Sequence, residues 1–231
     1  MHPEDVRLTE LAEYVMGNRY SPIDASFTAV KEFKVSWSKK GKELNLQISD
    51  YLRDAPDHVL TSLLSTIVDM VAHRPFDYGK EYLDWVTSDD FSIRNRPSYL
   101  QRSKNLTRTS IGRTYDLAES ADRLLEYRLL TENDVQNSFF SWTSRPNIRK
   151  MGYCSPMMRV VAVSSILDDP SVPEYVVDYV VYHESLHLRQ GYRPNKRAHD
   201  SDFRREERSF PSYKEAEAYL NSLSRGRSAG R

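Results

Sequence analysis

The pentapeptide His183-Glu184-Ser185-Leu186-His187 constrains this chain more than any other segment. Histidines four apart on an α-helix put both imidazoles on one side, one turn apart, within reach of a single Zn²⁺. Glu184 is rotated by about 100° from His183, so its carboxylate can approach a water at such a site without taking a ligand position. The chain's own residue frequencies give a chance expectation of about 0.01 for this pattern. The flanks predict a helix: Ser171-Val172-Pro173-Glu174 has capping-box spacing, and Gly191 followed by Pro194 ends the run. Val176, Tyr179, Val180, His183 and His187 then share one face.

A catalytic zinc needs a third protein ligand if its fourth position is to hold water. His199, in the loop RPNKRAHDSDFRREE ahead of a second helix from about Ser201, is the choice made here, because half of the chain's six histidines fall between residues 183 and 199. Glu206 or Glu207 on that second helix is the competing choice. The longer form with glycine and histidine at positions 190 and 193 is excluded by Gln190 and Arg193.

Upstream, Phe33, Val35 and Trp37 alternate before Ser-Lys-Lys-Gly-Lys, and Leu44, Leu46 and Ile48 alternate after it, which predicts a hairpin within residues 27–49. Residues 54–73 predict an amphipathic helix packed on that hairpin, with Pro56 in its first turn and Val59, Leu60, Leu63, Leu64, Ile67, Val68 and Val71 buried. Residues 91–115 are basic, free of acids and weakly periodic, and are expected to form an exposed connection. A helix is expected over 116–130 and short strands near 139–143, 149–154 and 159–164. No internal repeat is evident, and the polar tail from Ser224 is expected to fray. The domains expected are therefore 1–110, a hairpin-and-helix region with its basic connection, and 111–223, with 224–231 as the tail.

The 33 basic and 33 acidic residues cancel, so a strong net field is excluded while a local basic surface is not. The single Cys154 cannot form an internal disulfide or supply a cysteine-rich zinc site, and is expected to be a small core residue. An acidic N-terminal stretch and the lack of a long uninterrupted apolar run lead to the expectation of a cytoplasmic chain with no membrane span.

The residues Ile148-Arg149-Lys150-Met151-Gly152-Tyr153-Cys154-Ser155, a valine-rich strand, the helix through His183-Glu184, and His199 with Phe203 together resemble the SprT-like and related small zincin metallopeptidases. The resemblance covers about residues 112–220. Met151 and Tyr153 stand where many relatives carry tryptophan and serine. It implies an α+β, zincin-like fold with a small sheet packed on the metal-binding helix, three histidine ligands (His183, His187, His199) and Glu184 as the catalytic base.

The function expected is a zinc-dependent metallopeptidase that hydrolyses peptide bonds through a metal-activated water, acting on a protein or peptide substrate. Tyr192, Arg193 and Arg197 are candidates to stabilise an oxyanion. Two alternatives come from other classes: a non-catalytic, zinc-stabilised scaffold, and a nucleic-acid-associated protein whose basic segments bind DNA or an acidic partner.

Overall fold

The computed structural model describes residues 2–194 and 196–226. Its contacts divide the chain into two compact units, Met1–Phe91 and Ser92–Arg231. No helix among the described residues is long and apolar enough to cross a membrane.

The first unit opens with α1 (Pro3–Met16), which packs on β1 (Ile23–Thr28). The expected hairpin is formed by β2 (Val35–Lys40) and β3 (Glu43–Ser49), but its first arm starts at Val35 and runs on through Lys40, which leaves Gly41 and Lys42 as the turn. Phe27 and Thr28 belong to β1, which runs parallel to β3 on its other side. Phe27 and Val35 both pair with Ile48, from opposite edges. The strand with the most buried residues thus takes the centre, and the chain breaks between residues 28 and 35 to flank it twice. Leu44, Leu46 and Ile48 alternate into the core as expected. A 3₁₀ turn over Asp50–Leu52 leads to α2 (Asp57–Val71), whose seven expected core residues are all buried. Pro56 is its N-cap. α3 (Lys80–Val86) follows.

Residues 91–115 are not simply an exposed connection. α4 (Asp89–Arg102) takes up their first half and includes the point where the two units divide. Asp89 and Asp90 supply negative charge to its first turn, and Phe91, Ser92 and Tyr99 are buried despite the interior Pro97. Too few apolar positions recur for the basic stretch to have declared this helix.

The second unit continues with α5 (Leu117–Glu126), capped by the Asp116 carboxylate on the Ala118 amide, and the short α6 (Glu132–Val135). Strands β4 (Phe139–Trp142), β5 (Gly152–Ser155) and β6 (Val160–Val163) form a sheet in the order β4-β6-β5, with β4 parallel and β5 antiparallel to the fully buried β6. After a 3₁₀ turn at Ser165–Leu167 comes α7 (Glu174–Gln190), the centre of this unit's core, in contact with α5, β5 and β6. The expected capping box does not form. Ser171 donates instead to Asp169, Glu174 pairs with Arg123 at 3.3 Å, and Pro173 occupies the N-cap without a side-chain bond. Gly191 ends α7 at φ 70°, a conformation side-chain-bearing residues avoid. α8 (Ser201–Glu207) and α9 (Tyr213–Gly226) complete the unit. The expected frayed tail is helical as far as Gly226, and residues 227–231 lie outside the described residues.

An internal repeat, invisible in the residue string, is plain in the topology. Each unit has a three-stranded sheet with its third strand central, parallel to the first and antiparallel to the second, and a 3₁₀ turn and a long helix follow each sheet. The triplet Phe27–Ile48–Val35 in the first corresponds to Trp142–Val163–Gly152 in the second, and the next residue of the central strand is a buried serine in both, Ser49 and Ser164. Counting from Pro56 and Pro173, Thr66, Ile67 and Met70 stand where the second unit has His183, Glu184 and His187.

Candidate metal centre

α7 carries His183 and His187 on adjacent turns, and the chain returns from Gly191 through the following loop to bring in His199. One ring nitrogen from each of the three lies within 4.8 Å of the others. The Nε2 atoms of His187 and His199 face each other 3.0 Å apart. Nitrogens around one tetrahedral zinc-sized ion would be about 3.3 Å apart, so the cluster suits a metal ion with small adjustment. Phe203 stacks on the His187 ring at 4.4 Å and lies 5.1 Å from the His183 ring and 4.7 Å from that of His199. Phe203 is itself placed by Asp200, which caps α8 by accepting from its amide at 2.9 Å.

The three rings have different surroundings. His183 donates from Nδ1 to Glu207 Oε1 at 2.7 Å, and the Tyr179 hydroxyl donates to Glu207 at 3.1 Å and to Glu217 at 2.9 Å. This bond fixes the tautomer and leaves the other ring nitrogen free to ligate. Burial disfavours a charged His183, but the Glu207 bond and the nearby carboxylates outweigh it and raise its pKa. His187 is pulled down to about 4, first by burial and then by the charges of His183 and His199. His199 is lowered by burial and then by the charge of His183, with Arg204 adding to it and Glu207 opposing. His187 and His199 thus resist protonation, which leaves their ring lone pairs open to a cation.

Glu184 is 6% exposed, and no hydrogen bond reaches its carboxylate among the described residues. Burial pushes its pKa up to about 7 against the opposing charges of His183 and Lys150. Its place depends on Gly152: a Cβ there would lie 2.7 Å from Glu184 Oε1 and 2.8 Å from Val180 Cγ1. α7 can approach β5 this closely because that residue has no side chain.

The histidines and Glu184 line an open cavity of about 460 Å³, bordered by Lys150 and Cys154 on the β5 side and by Tyr192, Arg193, Lys196 and Arg197 on the loop side. All three residues considered for oxyanion stabilisation therefore reach it, although Arg193 is already paired with Asp200 at 3.1 Å. Cys154 is half-buried, and burial raises its thiol pKa well above the ordinary range, so it stays protonated.

The two glutamates weighed against His199 have other partners. Glu206 pairs with Arg189, and Glu207 holds His183 from behind. Tyr179 and Tyr182 are core residues, but Tyr179 also orients Glu207. Nothing in the residue string signals that chain from Tyr179 to Glu207 to His183, because it joins residues 28 and 24 positions apart on two helices. Comparison with protein-family models, curated proteins and solved structures gave no match.

Proposed function

We propose that this chain is a zinc-dependent metallopeptidase with a zincin-like second unit of the SprT-like type, and that His183, His187 and His199 hold the zinc. The observation that carries the reading is the unpaired, buried Glu184 carboxylate beside three convergent imidazoles in an open cavity. A purely structural zinc site is closed and has no use for such an acid. The donor set, all imidazole with one ring backed by a carboxylate, suits zinc.

When bound, zinc would supply Lewis acidity and bring the pKa of a water in its fourth position near neutrality. The chain's own residues would do the remainder. Glu184, poised by burial, accepts a proton from the attacking water at a carboxylate oxygen and delivers it to the departing amine. Gly152 lets that carboxylate lie against β5, and Lys150 favours its ionised form. Glu207, braced by Tyr179, keeps the His183 ring turned towards the cluster. β5 is the edge strand of its sheet, so an extended peptide can lie along it beside Glu184.

The test is metal analysis and peptide cleavage in parallel. His199→Ala should lose zinc and cleavage together, whereas Glu206→Ala should keep its zinc. A His199→Ala protein that retains full zinc and turnover would reject the ligand set.

A further inference from the structure

Resting on the peptidase reading of the same site, we propose that the cavity selects polypeptide segments with aspartate or glutamate beside the bond presented to Glu184. Four cations border the cavity, and among its described lining residues Glu184 is the sole carboxylate. Glu184 is almost wholly buried at its floor and offers the rim little compensation. Arg193 is taken by Asp200. Lys150, Lys196 and Arg197 are exposed, with no ion-pair partner among the described residues. Lys150 sits at the β5 rim with its ammonium 4.5 Å from the centre of the Tyr153 ring, an interaction that holds it in place without neutralising it. Lys196 and Arg197 stand on the rim formed by the loop before His199. An extended chain crossing the cavity therefore meets uncompensated positive charge from the strand and from the loop.

The distribution of the remaining arginines favours a peptide over a nucleic acid. Binding along a phosphate backbone needs cations spread over a continuous face. Many arginines of the second unit are used internally instead. Arg96 donates to the Met158 and Asn137 carbonyls, Arg108 to Leu100, and Arg159 to Gln136 and Asn133. Arg123 and Arg189 are bound to Asp178 and Asp134. The uncompensated cations at this site are concentrated on the cavity rim, where their field acts on whatever lies over Glu184.

The experiment uses the zinc-loaded full chain and three fluorogenic peptides of one length, with Glu, Gln or Lys at the positions flanking the same central bond. The expected order of kcat/KM is Glu over Gln over Lys, with a Glu-to-Gln ratio of about tenfold at low salt that shrinks as salt rises. The triple variant Lys150→Glu, Lys196→Glu, Arg197→Glu should invert the order. Equal rates for Glu and Gln peptides, or an order unchanged in the triple variant, would overturn the proposal while leaving the peptidase reading intact. Binding of the same peptides to zinc-loaded Glu184→Gln, read by fluorescence anisotropy, separates the two claims. If nothing is cleaved but Glu peptides still bind best, the peptidase reading fails and acidic selection stands. If the binding order is flat, acidic selection fails. A DNA duplex that binds more tightly than the Glu peptide, and loses that binding in the triple variant, would reassign the rim to nucleic acid.

Discussion

Glu184 concentrates the chemistry of the site in one side chain, and its environment makes opposite demands on stability and on activity. In the metal-free protein its pKa is raised to about 7 by burial. Between its ordinary value and 7 the folded state binds more protons than the unfolded one, so this group's contribution to stability falls as pH rises through that window. Glu184→Gln removes the penalty. Urea denaturation of the metal-free proteins should therefore show the variant gaining stability over wild type at pH 8 and little or nothing at pH 4.5; an equal difference at both values would mean that Glu184 is not desolvated. As a base the group must be ionised, so cleavage by the zinc-loaded protein should rise with pH along an acid limb at or below about 7. The same Glu184→Gln substitution should keep its zinc and lose cleavage by about 10²- to 10⁴-fold. His183, Glu184 and His187 are legible in the sequence because a single helix supplies them and its period fixes their geometry. Glu207 is different. It was weighed as a ligand, and only the fold shows that it accepts from the far nitrogen of His183. Glu207→Ala should weaken zinc binding by about 10- to 100-fold, measured by competition with a chelating dye, and Tyr179→Phe should follow in the same direction with a smaller effect.

At the scale of elements, the site depends on how closely α7 lies against β5, and Gly152 permits that approach. Gly152→Ala forces a methyl group into Glu184 and Val180, so one of the two elements must shift. A loss of about 1–3 kcal/mol in stability is expected, together with reduced cleavage at unchanged zinc content. A variant as stable and active as wild type would show that the approach is not tight. α2, α5 and α7 were legible because each has an apolar stripe of three or more turns. α4 was not, because its buried Phe91, Ser92 and Tyr99 are scattered among arginines and a proline. Likewise β1 is not legible as a strand of its own, because nothing between Thr28 and Val35 signals a turn, and only pairing on both sides of Ile48 separates it from β2. The box expected at Ser171 failed for a related reason. Arg123, brought close by the fold, takes Glu174, and Asp169, two residues upstream, takes Ser171.

Across the whole chain, one topology occurs twice and the chemistry once. In the first unit the positions equivalent to His183, Glu184 and His187 hold Thr66, Ile67 and Met70, all buried. Thr66 is committed to the Ser62 and Asp77 carbonyls. The repeat escaped the sequence because what it conserves is strand order and register, which apolar residues of many kinds can satisfy. Among the described residues His183, His187 and His199 form the one such ligand cluster, so the full chain should bind a single zinc, and His187→Ala should abolish binding altogether rather than halve it. Elemental analysis after dialysis distinguishes these outcomes. The core of the second unit is centred on the valines of α7 and β6, whereas the three histidines are half-buried or exposed. Chelation should therefore remove cleavage while far-ultraviolet circular dichroism stays close to that of the loaded protein. Unfolding on chelation would instead place the metal among the supports of the fold and favour a zinc-stabilised scaffold.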